Sequence, residues 1–441
     1  MDLQKIWLLG FAGKQRLAYL EGRKLKAERH MVVIKSLAAL ASFGLTIAAP
    51  QASVSSSAVS SPSPSASISA ILTTEETDDL FSLHEELVNI PSISGDEVEC
   101  AEFISKYLSD LGYYVEEIPA GDTGTFNVFA YPQELKDEGV WPEVLITSHI
   151  DTVPPFYPFE RKEENGTIYH FGRGSVDAKG PVATMIIASH KLFQSRTDTP
   201  SLGMLFVVAE ETGGAGMRAF AEYASNTTFR AGIFGEPTEG KLASGHKGYL
   251  GVSLDITGRS SHSAYPWLGV SAINYLAEAI VGLNMLEPAL PRSELLGATT
   301  LNAGLVAGGV ASNVVSDHAN ASIAVRIARS EDDAVDLVQD MIAGMLSPFE
   351  TRAKEENATF EVVFSNARYP AVILDTDVEG LEVAPVFFGT DIPSLPQVDK
   401  KYLFGTGTIE VAHTPDEMLS QEELVQAAEA YGMILESLFS E

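Results

Sequence analysis

The sequence predicts an α/β protein with a mixed, mostly parallel sheet flanked by helices, interrupted by an inserted α+β domain. Between Tyr113 and Pro237, apolar strand-like runs alternate with helical runs, a pattern typical of a parallel sheet covered by helices on both faces. From about His246, strands of alternating polarity and two good helices span about 115 residues. Two such strand-and-helix pairs are typical of a compact, ferredoxin-like unit.

The elements of the first pattern can be justified in chain order. Leu80, Leu83 and Leu87 lie at helical spacing after a Thr-Thr-Glu-Glu start, which predicts a helix from Thr74 to Asn89. A second amphipathic helix is predicted over 97–113, closed by Gly112. The remaining predicted elements are strands at 113–118, 125–131 and 143–151, a helix at 181–193, a strand at 201–211, a helix at 216–224 and a strand at 231–237.

The inserted unit has strands at 250–258 and 318–328 and helices at 269–286 and 330–346. After the inserted unit, a terminal helix is predicted over 420–439, and we assign it to the domain that the insertion interrupts. We therefore expect a catalytic domain in two parts, 74–245 and 363–441, interrupted by a lid or dimerisation domain at 246–362.

The first 73 residues are expected to lie outside the folded part. Residues 1–50 are typical of a targeting segment: from Met31, a short basic head precedes about a dozen apolar residues and a small-residue end, as in a secretory signal. Met31 is an alternative start, which N-terminal sequencing of the mature protein would test. Residues 51–73 form a Ser/Ala/Pro-rich linker with nothing to bury.

A secreted, extracellular protein is therefore expected, with the vacuolar lumen as the alternative and with no stable membrane anchor. The apolar run after Met31 is too short for a comfortable membrane span. Four N-x-S/T sequons, which favour passage through a secretory pathway, begin at Asn165, Asn226, Asn320 and Asn357.

Composition and charge exclude several classes of function. At 441 residues and 45% hydrophobic content, the chain can build a large core. Its net charge of −31 argues against binding to nucleic acid and to anionic membranes, both of which need a basic surface. The single cysteine, Cys100, excludes a disulfide framework, so any metal must be held by His, Asp and Glu side chains.

The stretch "SHIDTVP" indicates the chemistry of the site. It follows a buried strand, and the two-residue period places His149 and Asp151 on one face of the extended chain. A metal-binding histidine commonly uses one ring nitrogen as a ligand while the other donates to a carboxylate. A chance polar pair at the end of a strand remains the alternative on this stretch alone.

Further carboxylates and a second histidine follow in order along the chain. Asp177 lies in the glycine-rich turn "GRGSVDAKGP", Glu210 and Glu211 end one strand, Glu236 ends another, and His413 lies in "GTIEVAHTPDE". Each alone is also compatible with a turn or a solvated face. Buried carboxylates that converge need a compensating cation, and two histidines with three carboxylates suit a pair of zinc ions.

These motifs resemble those of the co-catalytic zinc metallopeptidases, the family of aminoacylase, bacterial glutamate carboxypeptidase, succinyl-diaminopimelate desuccinylase and the fungal vacuolar carboxypeptidase. The resemblance extends from about Thr74 to the end and implies the zinc-exopeptidase fold. It implies that Asp151 orients the first ligand and that Glu210 is the general base. The implied metal ligands are His149, Asp177 as the bridge, Glu211, Glu236 and His413.

The resemblance also implies three roles in the lid. His262 of "GRSSHSAYP" would reach the active site of a partner subunit, and Asn313 and Arg326 would contact substrate. A polar loop histidine is the alternative for His262, and a surface salt bridge is the alternative for Arg326. The peptide bond after Asp177 is expected to be cis by the same resemblance.

The expected function is that of a secreted zinc carboxypeptidase that hydrolyses the amide bond next to a free C-terminal carboxylate. Two zinc ions per subunit would hold a bridging water that Glu210 activates. The chain is expected to form a homodimer through the lid. An N-acyl-amino-acid amidohydrolase of aminoacylase type remains the alternative enzyme. A non-catalytic binding protein is disfavoured because Glu210 and all five ligands are present, and nothing in the sequence supports an adhesion role.

Overall fold

The computed structural model describes residues 71–121 and 124–440. The targeting segment and nearly all of the Ser/Pro-rich linker predicted at the N-terminus lie outside the described residues. The α-helices of the described part are α1 (Thr74–Asn89), α2 (Val98–Asp110), α3 (Gln133–Glu138), α4 (Lys179–Ser195), α5 (Ala215–Tyr223), α6 (Ala272–Leu286), α7 (Ala334–Glu355) and α8 (Gln421–Phe439).

The strands of three residues or more are numbered in chain order. They are β1 (Tyr113–Pro119), β2 (Phe126–Pro132), β3 (Val144–His149), β4 (Glu160–Glu164), β5 (Thr167–Phe171), β6 (Leu202–Val207), β7 (Phe229–Gly235), β8 (Gly248–Thr257), β9 (Thr300–Gly308), β10 (His318–Ile327), β11 (Thr359–Tyr369), β12 (Val398–Phe404) and β13 (Met418–Ser420). Two-residue strands lie at 242–243, 245–246, 261–262, 292–293, 297–298, 314–315, 372–373 and 383–384.

The central sheet has six strands in the order β1-β2-β6-β3-β7-β12. Strands β1 and β2 pair antiparallel, as do β2 and β6, whereas β6, β3, β7 and β12 are parallel to their neighbours. In this register His149 pairs with Val207 and Gly235 pairs with Phe404. The carboxyl ends of the four parallel strands therefore meet at one edge of the sheet.

Helices cover both faces of this sheet, as the alternating pattern predicts. Val144 and Ile146 of β3 belong to the core under α1, α2, α4 and α8, whereas Leu145 packs on the opposite side with Phe220 of α5. Successive strand residues thus enter different cores, which explains why the strands read as continuous apolar runs. The predicted fold class, a mixed, mostly parallel sheet flanked by helices, is confirmed.

The inserted region forms a second sheet with its own core. Its strand order is β9-β10-β8-β11, all antiparallel, and α6 and α7 pack on one face. Burial alternates along β8, so one face meets the helices and the other is more open. The last strand, β11, continues to Tyr369 and so crosses residue 362, where the sequence places the end of the lid.

Several strands lack a sequence signal strong enough to predict them. Strand β9 contains Gly304 and ends at Gly308, and it is exposed along most of its length, while β4 consists of five exposed residues that are all charged. Both are stabilised by pairing with neighbouring strands rather than by an alternating apolar pattern. Within the described residues, no helix is long and apolar enough to cross a membrane.

Candidate active site

The edge where the parallel strands end carries most of the predicted site. His149 is the last residue of β3, Glu210 and Glu211 follow β6, and Glu236 follows β7. His413 lies in the connection between β12 and β13. Ligand sites in open α/β sheets lie at the carboxyl ends of the strands, and the structure brings these side chains to that edge.

His149 presents one ring nitrogen to the interior of the site. It is 2% exposed, and its Nδ1 donates to the backbone oxygen of Asp151 at 2.9 Å. Its Nε2 lies 3.0 Å from Oδ1 of Asp177 and 3.9 Å from Oε1 of Glu236. Nε2, the ring nitrogen that does not bond to Asp151, therefore faces the carboxylates of Asp177 and Glu236.

Asp177 occupies the middle of the cluster. Its Oδ1 faces His149, and its Oδ2 lies 3.2 Å from Nε2 of His413. That same His413 nitrogen lies 2.8 Å from Oε1 of Glu211. The five side chains thus form a continuous series from Glu236 through His149, Asp177 and His413 to Glu211, with the two Asp177 oxygens directed to different histidines. The Asp177–Ala178 peptide bond is cis, as expected.

The donor set fits a pair of metal ions. His149, Asp177 and Glu211 each offer an atom within 4.8 Å of the others. Once Nδ1 of His149 donates to Asp151, Nε2 and the Asp177 oxygen are two acceptors 3.0 Å apart, an arrangement that needs a cation between them. Hydrogen bonds to Asp177 and Glu211 likewise raise the pKa of His413 to about 10. Protons occupy these positions in the metal-free chain, so metal binding is coupled to their release.

The series of five side chains is buried at Glu236 and exposed to solvent at His413. Glu236 is 8% exposed, and burial followed by the charges of Glu210 and Asp177 raises its pKa well above the usual range. The His413 side chain is 49% exposed. Its φ of 65° lies in the left-handed region, which is uncommon outside glycine and typical of residues held in place by their surroundings at functional sites. The series of side chains is therefore open to solvent on the His413 side.

Asp151 fixes the turn that carries the two glutamates. Its Oδ1 accepts from the backbone N–H of Glu210 at 3.0 Å, and its Oδ2 accepts from that of Glu211 at 3.2 Å and from the Ser94 hydroxyl at 2.7 Å. Asp151 therefore connects the segment after β6 to His149. Within that segment, Glu211 contacts His413, whereas Glu210 lines the cavity with His149 and Glu236.

A buried ion pair joins the two segments on either side of Asp177. Nη1 of Arg173 lies 2.5 Å from Oε2 of Glu417, and both side chains are at most 2% exposed. Oε1 of Glu417 accepts from the backbone N–H groups of Val176 and Asp177, while Arg173 donates to the backbone oxygen of His413 at 3.3 Å. The pair thus sets the distance between Asp177 and His413.

Replacing Glu417 by glutamine is expected to weaken metal binding by about 10- to 100-fold, the usual effect of losing a group that orients metal ligands. Glutamine leaves the guanidinium of Arg173 without its counter-charge, so the His413 segment loses its fixed position. Titration of metal-free protein with zinc measures the effect. Glu422→Gln, at an exposed position on α8, is the matched control. Unchanged affinity in a folded Glu417→Gln variant would contradict the role of the ion pair.

Two buried histidines support the same turn from the other side. His84 and His170 are stacked 5.1 Å apart, and their Nδ1 atoms lie 2.9 Å from each other. Nε2 of His84 must donate to the Ser175 backbone oxygen at 2.9 Å, so its Nδ1 accepts from His170, whose Nε2 accepts from Gln421 at 3.0 Å. This directed chain links α8 and α1 to the turn before Asp177 and requires both rings to be neutral.

The histidine pair is expected to make folding sensitive to acid. Burial, and then His170 and Lys179, lowers the pKa of His84 to about 3, while burial and Arg161 lower the pKa of His170 to about 4. The unfolded chain takes up these protons near pH 6.5, so stability is fully present above that pH and is lost as the pH falls towards 4 and 3. Each group contributes a slope of at most about 1.4 kcal/mol per pH unit.

Urea unfolding between pH 7 and pH 4 measures this dependence. His170→Gln should flatten the slope, because one of the two groups no longer titrates, whereas His318→Gln, at an exposed lid position, should leave it unchanged. Equal slopes in the wild type and in His170→Gln would show that the pair does not control acid stability.

The predicted lid residues lie apart from this cluster. His262 and Asn313 are both exposed, and they are adjacent because the strand 261–262 pairs with 314–315 and the N–H of Ser263 donates to the Asn313 backbone oxygen. Within the described part of the chain, no hydrogen bond or ion pair joins either side chain to the metal-site residues. A single chain does not bring His262 and Asn313 to the site.

Arg326 lies where the lid meets the catalytic domain. Its guanidinium lies 5.5 Å from the ring centroid of Tyr249, and its Nη1 is close to Gly389. No carboxylate of the described residues lies within salt-bridge distance of it. The surface salt bridge considered for Arg326 is therefore absent among these residues.

Three further residues of the site are not predicted from the sequence. Arg173 and Glu417 belong to the segments "GRGSVDAKGP" and "GTIEVAHTPDE", but they act through a contact between residues 244 positions apart. Asp391 follows a segment without a regular strand. Asp391 is 7% exposed and lines a small cavity together with His149, Glu210, Glu236 and Thr390. Its Oδ2 has no hydrogen-bond partner among the described residues. An Asp after Gly-Thr suggests only a turn from sequence.

The fold and the site together define a metallopeptidase, a hydrolase with a cluster of histidines and carboxylates at the carboxyl ends of a mostly parallel sheet. The chain belongs to peptidase family M20/M25/M40, whose family model matches residues 145–437. A protein named probable carboxypeptidase from Aspergillus terreus is 40% identical over 381 residues, covering 81% of this chain and 86% of the relative. A probable carboxypeptidase from Uncinocarpus reesii is also 40% identical, over 394 residues.

Solved structures share the fold. A tripeptidase from Staphylococcus aureus superposes with a TM-score of 0.66 at 21% identity, covering 83% of this chain and 99% of that one. An M20 family metallo-carboxypeptidase from Sulfolobus solfataricus gives a TM-score of 0.62 at 18% identity, covering 81% and 98%. A Bacillus subtilis protein described as a dinuclear metal binding peptidase of the M20 family gives 0.60 at 18% identity, covering 83% and 99%.

Proposed function

We propose that this protein is a di-zinc carboxypeptidase that hydrolyses the peptide bond next to a free C-terminal carboxylate. The observation that carries the proposal is Arg326, a cation without a carboxylate partner among the described residues, which lies beside Gly389, two residues before Asp391 of the site cavity. In a chain of net charge −31, such a cation is suited to binding an anionic group of the substrate. The names of the fungal relatives support the same activity.

Each side chain of the site has a defined task in this proposal. His149 and Glu236 would hold one metal ion and Glu211 and His413 the other, with Asp177 between the two pairs as a ligand common to both. The ions, when bound, polarise the scissile carbonyl and lower the pKa of the attacking water. Glu210 takes the proton from that water and delivers it to the leaving amine. Arg326 holds the carboxylate so that the amide lies over the site.

The alternative is an N-acyl-amino-acid amidohydrolase, which requires the same residues and differs in the pocket for the acyl or peptidyl side. The test compares three substrates: an N-blocked dipeptide with a free carboxylate, its C-terminal amide, and acetyl-amino acids. We expect turnover of the first alone, lost on chelation and restored by zinc. Deacetylation without peptide turnover would support the amidohydrolase, and turnover of the amide at the same rate would contradict carboxylate recognition.

We also propose a homodimer formed through the lid. Leu305 and Val306 of β9 are 69% and 58% exposed, and Val281 and Met285 of the adjacent α6 are 58% and 50% exposed. Strand β9 is at the edge of its sheet and carries no charged residue, so its backbone is free to pair with β9 of a second copy. Sedimentation analysis is expected to show a dimer for the wild type and a monomer for a Leu305→Lys variant.

Secretion remains part of the proposal and rests on the N-terminal segment and the sequons. Asn165, Asn226 and Asn357 lie at exposed positions outside regular strands, whereas Asn320 lies within β10, paired on both sides. Glycosylation is therefore expected at the first three and not at Asn320. Mass spectrometry of protein recovered from the culture medium tests both the location and the sites.

A further inference from the structure

Three side chains form a row across the lid sheet at the end nearest the catalytic domain. Tyr249 of β8 pairs directly with Arg326 of β10 on one side and with Tyr369 of β11 on the other. Opposite residues of antiparallel strands share a face of the sheet. The rings of Tyr249 and Tyr369 lie 6.4 Å apart, and the guanidinium of Arg326 lies 5.5 Å from the Tyr249 ring, so Tyr249 separates a cation from a phenol.

Both ends of the row reach the same point of the catalytic domain. A Cβ on Gly389 would lie 2.2 Å from the Tyr369 hydroxyl and 3.1 Å from Nη1 of Arg326. Gly389 is two residues before Asp391, which lines the cavity that contains His149, Glu210 and Glu236. The absence of a side chain at Gly389 thus lets a hydroxyl and a guanidinium approach each other at the edge of the site.

The Tyr369 hydroxyl is a hydrogen-bond donor without an assigned acceptor. The structure records no hydrogen bond of its oxygen to any described residue. Burial raises the pKa of Tyr369 above the usual range, and the negative charges of Glu210 and Asp391 raise it further, so the group keeps its proton. The ring position is fixed by an edge contact with His246, which accepts from the Thr390 hydroxyl. A fixed, half-buried donor beside an unpaired guanidinium is suited to one acceptor group.

We propose that Tyr369 determines substrate specificity: its hydroxyl and the Arg326 guanidinium bind the free carboxylate next to the scissile amide together. This inference rests on the proposed carboxypeptidase function. Arg326 alone attracts any anion, but a hydroxyl donor beside it favours a bound group with two acceptor oxygens. A C-terminal carboxamide has an NH₂ group in place of one oxygen, so one donor would be left unpaired.

The test is Tyr369→Phe, which removes the hydroxyl and leaves the ring. For an N-blocked dipeptide with a free carboxylate, KM is expected to rise about 10- to 100-fold, the effect of losing a hydrogen bond to a charged group. The kcat is expected to stay within about twofold, because binding is lost equally in the ground and transition states. The preference for the free acid over its C-terminal amide should fall by a similar factor.

Tyr249→Phe is the matched control, since it removes a hydroxyl from the same row. That hydroxyl faces Gly251 rather than Gly389, so KM and the preference for the acid should remain those of the wild type. Gly389→Ala is a second variant: its methyl group would displace both the Tyr369 hydroxyl and the Arg326 guanidinium, and its KM should rise at least as much as that of Tyr369→Phe.

The outcomes separate the inference from the function on which it rests. If the wild type prefers the free acid but Tyr369→Phe keeps the same KM and the same preference, the role of Tyr369 is wrong and the carboxypeptidase function stands. A fall in kcat at constant KM would also overturn the inference, because it would place the hydroxyl at the transition state. If the wild type does not distinguish the acid from the amide, the proposed function itself fails.

Discussion

Replacing Glu210 by glutamine is expected to reduce turnover by about 100- to 10,000-fold while the metal content stays that of the wild type. Glu210 is half-buried and lines the cavity with His149 and Glu236, and its backbone is held by Asp151. Burial, and then the charges of Asp391, Glu211 and Asp151, raise its pKa well above the usual range. A carboxylate with a raised pKa is suited to accepting and returning a proton near neutral pH.

Comparing Glu211→Gln with Glu210→Gln identifies which of the two glutamates is the general base. Glu211 contacts His413 at 2.8 Å, and Glu211 rather than Glu210 belongs to the group with His149 and Asp177. Glu211→Gln should therefore lose metal, and activity with it, whereas excess zinc should restore part of its turnover. Metal analysis and kinetics of both variants decide the assignment. Metal loss in Glu210→Gln with full occupancy in Glu211→Gln would exchange the two roles.

The positions of the site residues were predictable because they follow from strand ends. A histidine or carboxylate that follows an apolar strand lies at the edge of the sheet. Parallel strands bring such ends together, so His149, Glu211 and Glu236 could be grouped from the sequence alone. Asp177 and His413 are in turns, where periodicity says nothing. They were assigned to the site through their motifs, and the fold then places the Asp177 carboxylate between His149 and His413.

The supporting residues were not predictable for a physical reason. The contact between Arg173 and Glu417, the stacking of His84 on His170, and the approach of Tyr369 to Gly389 each join distant parts of the chain. Their burial depends on how helices and strands pack, and a single sequence carries no record of that packing. The same limit applies to β9, whose pairing with β10 compensates for a sequence rich in glycine and alanine.

His262→Ala is expected to cut turnover by about 100- to 1000-fold, the usual effect of removing a donor that stabilises the oxyanion. His262 is exposed on the lid, its Nδ1 accepts from the N–H of Ala264, and no bond among the described residues ties it to the metal site. A large effect from so remote a residue requires that it act on another subunit. Folding and zinc content should be unchanged, which circular dichroism and metal analysis would check.

Mixed dimers test the action of His262 across the subunit boundary. A dimer of one His262→Ala subunit and one Glu210→Gln subunit holds one complete site only if His262 acts in the partner. Random mixing should then restore about one quarter of the wild-type rate, since half of the dimers are mixed and one of their two sites is complete. If His262 acted within its own subunit, no combination would contain a complete site and no activity would return.

The reciprocal mixture gives a second, quantitative test in which both modes of action leave activity, but in different amounts. The double variant His262→Ala with Glu210→Gln is mixed in equal amounts with the wild type. Action across the boundary leaves activity only in wild-type dimers, about one quarter of the total, because each wild-type subunit in a mixed dimer receives an alanine from its partner. Action within one subunit leaves about one half, because every wild-type subunit stays active whatever its partner. The fraction of mixed dimers must be measured in the same sample, for example with two different affinity tags, because wild-type and variant subunits that failed to mix would also leave one half. A value of one half in a sample in which half of the dimers are mixed would therefore refute the shared site.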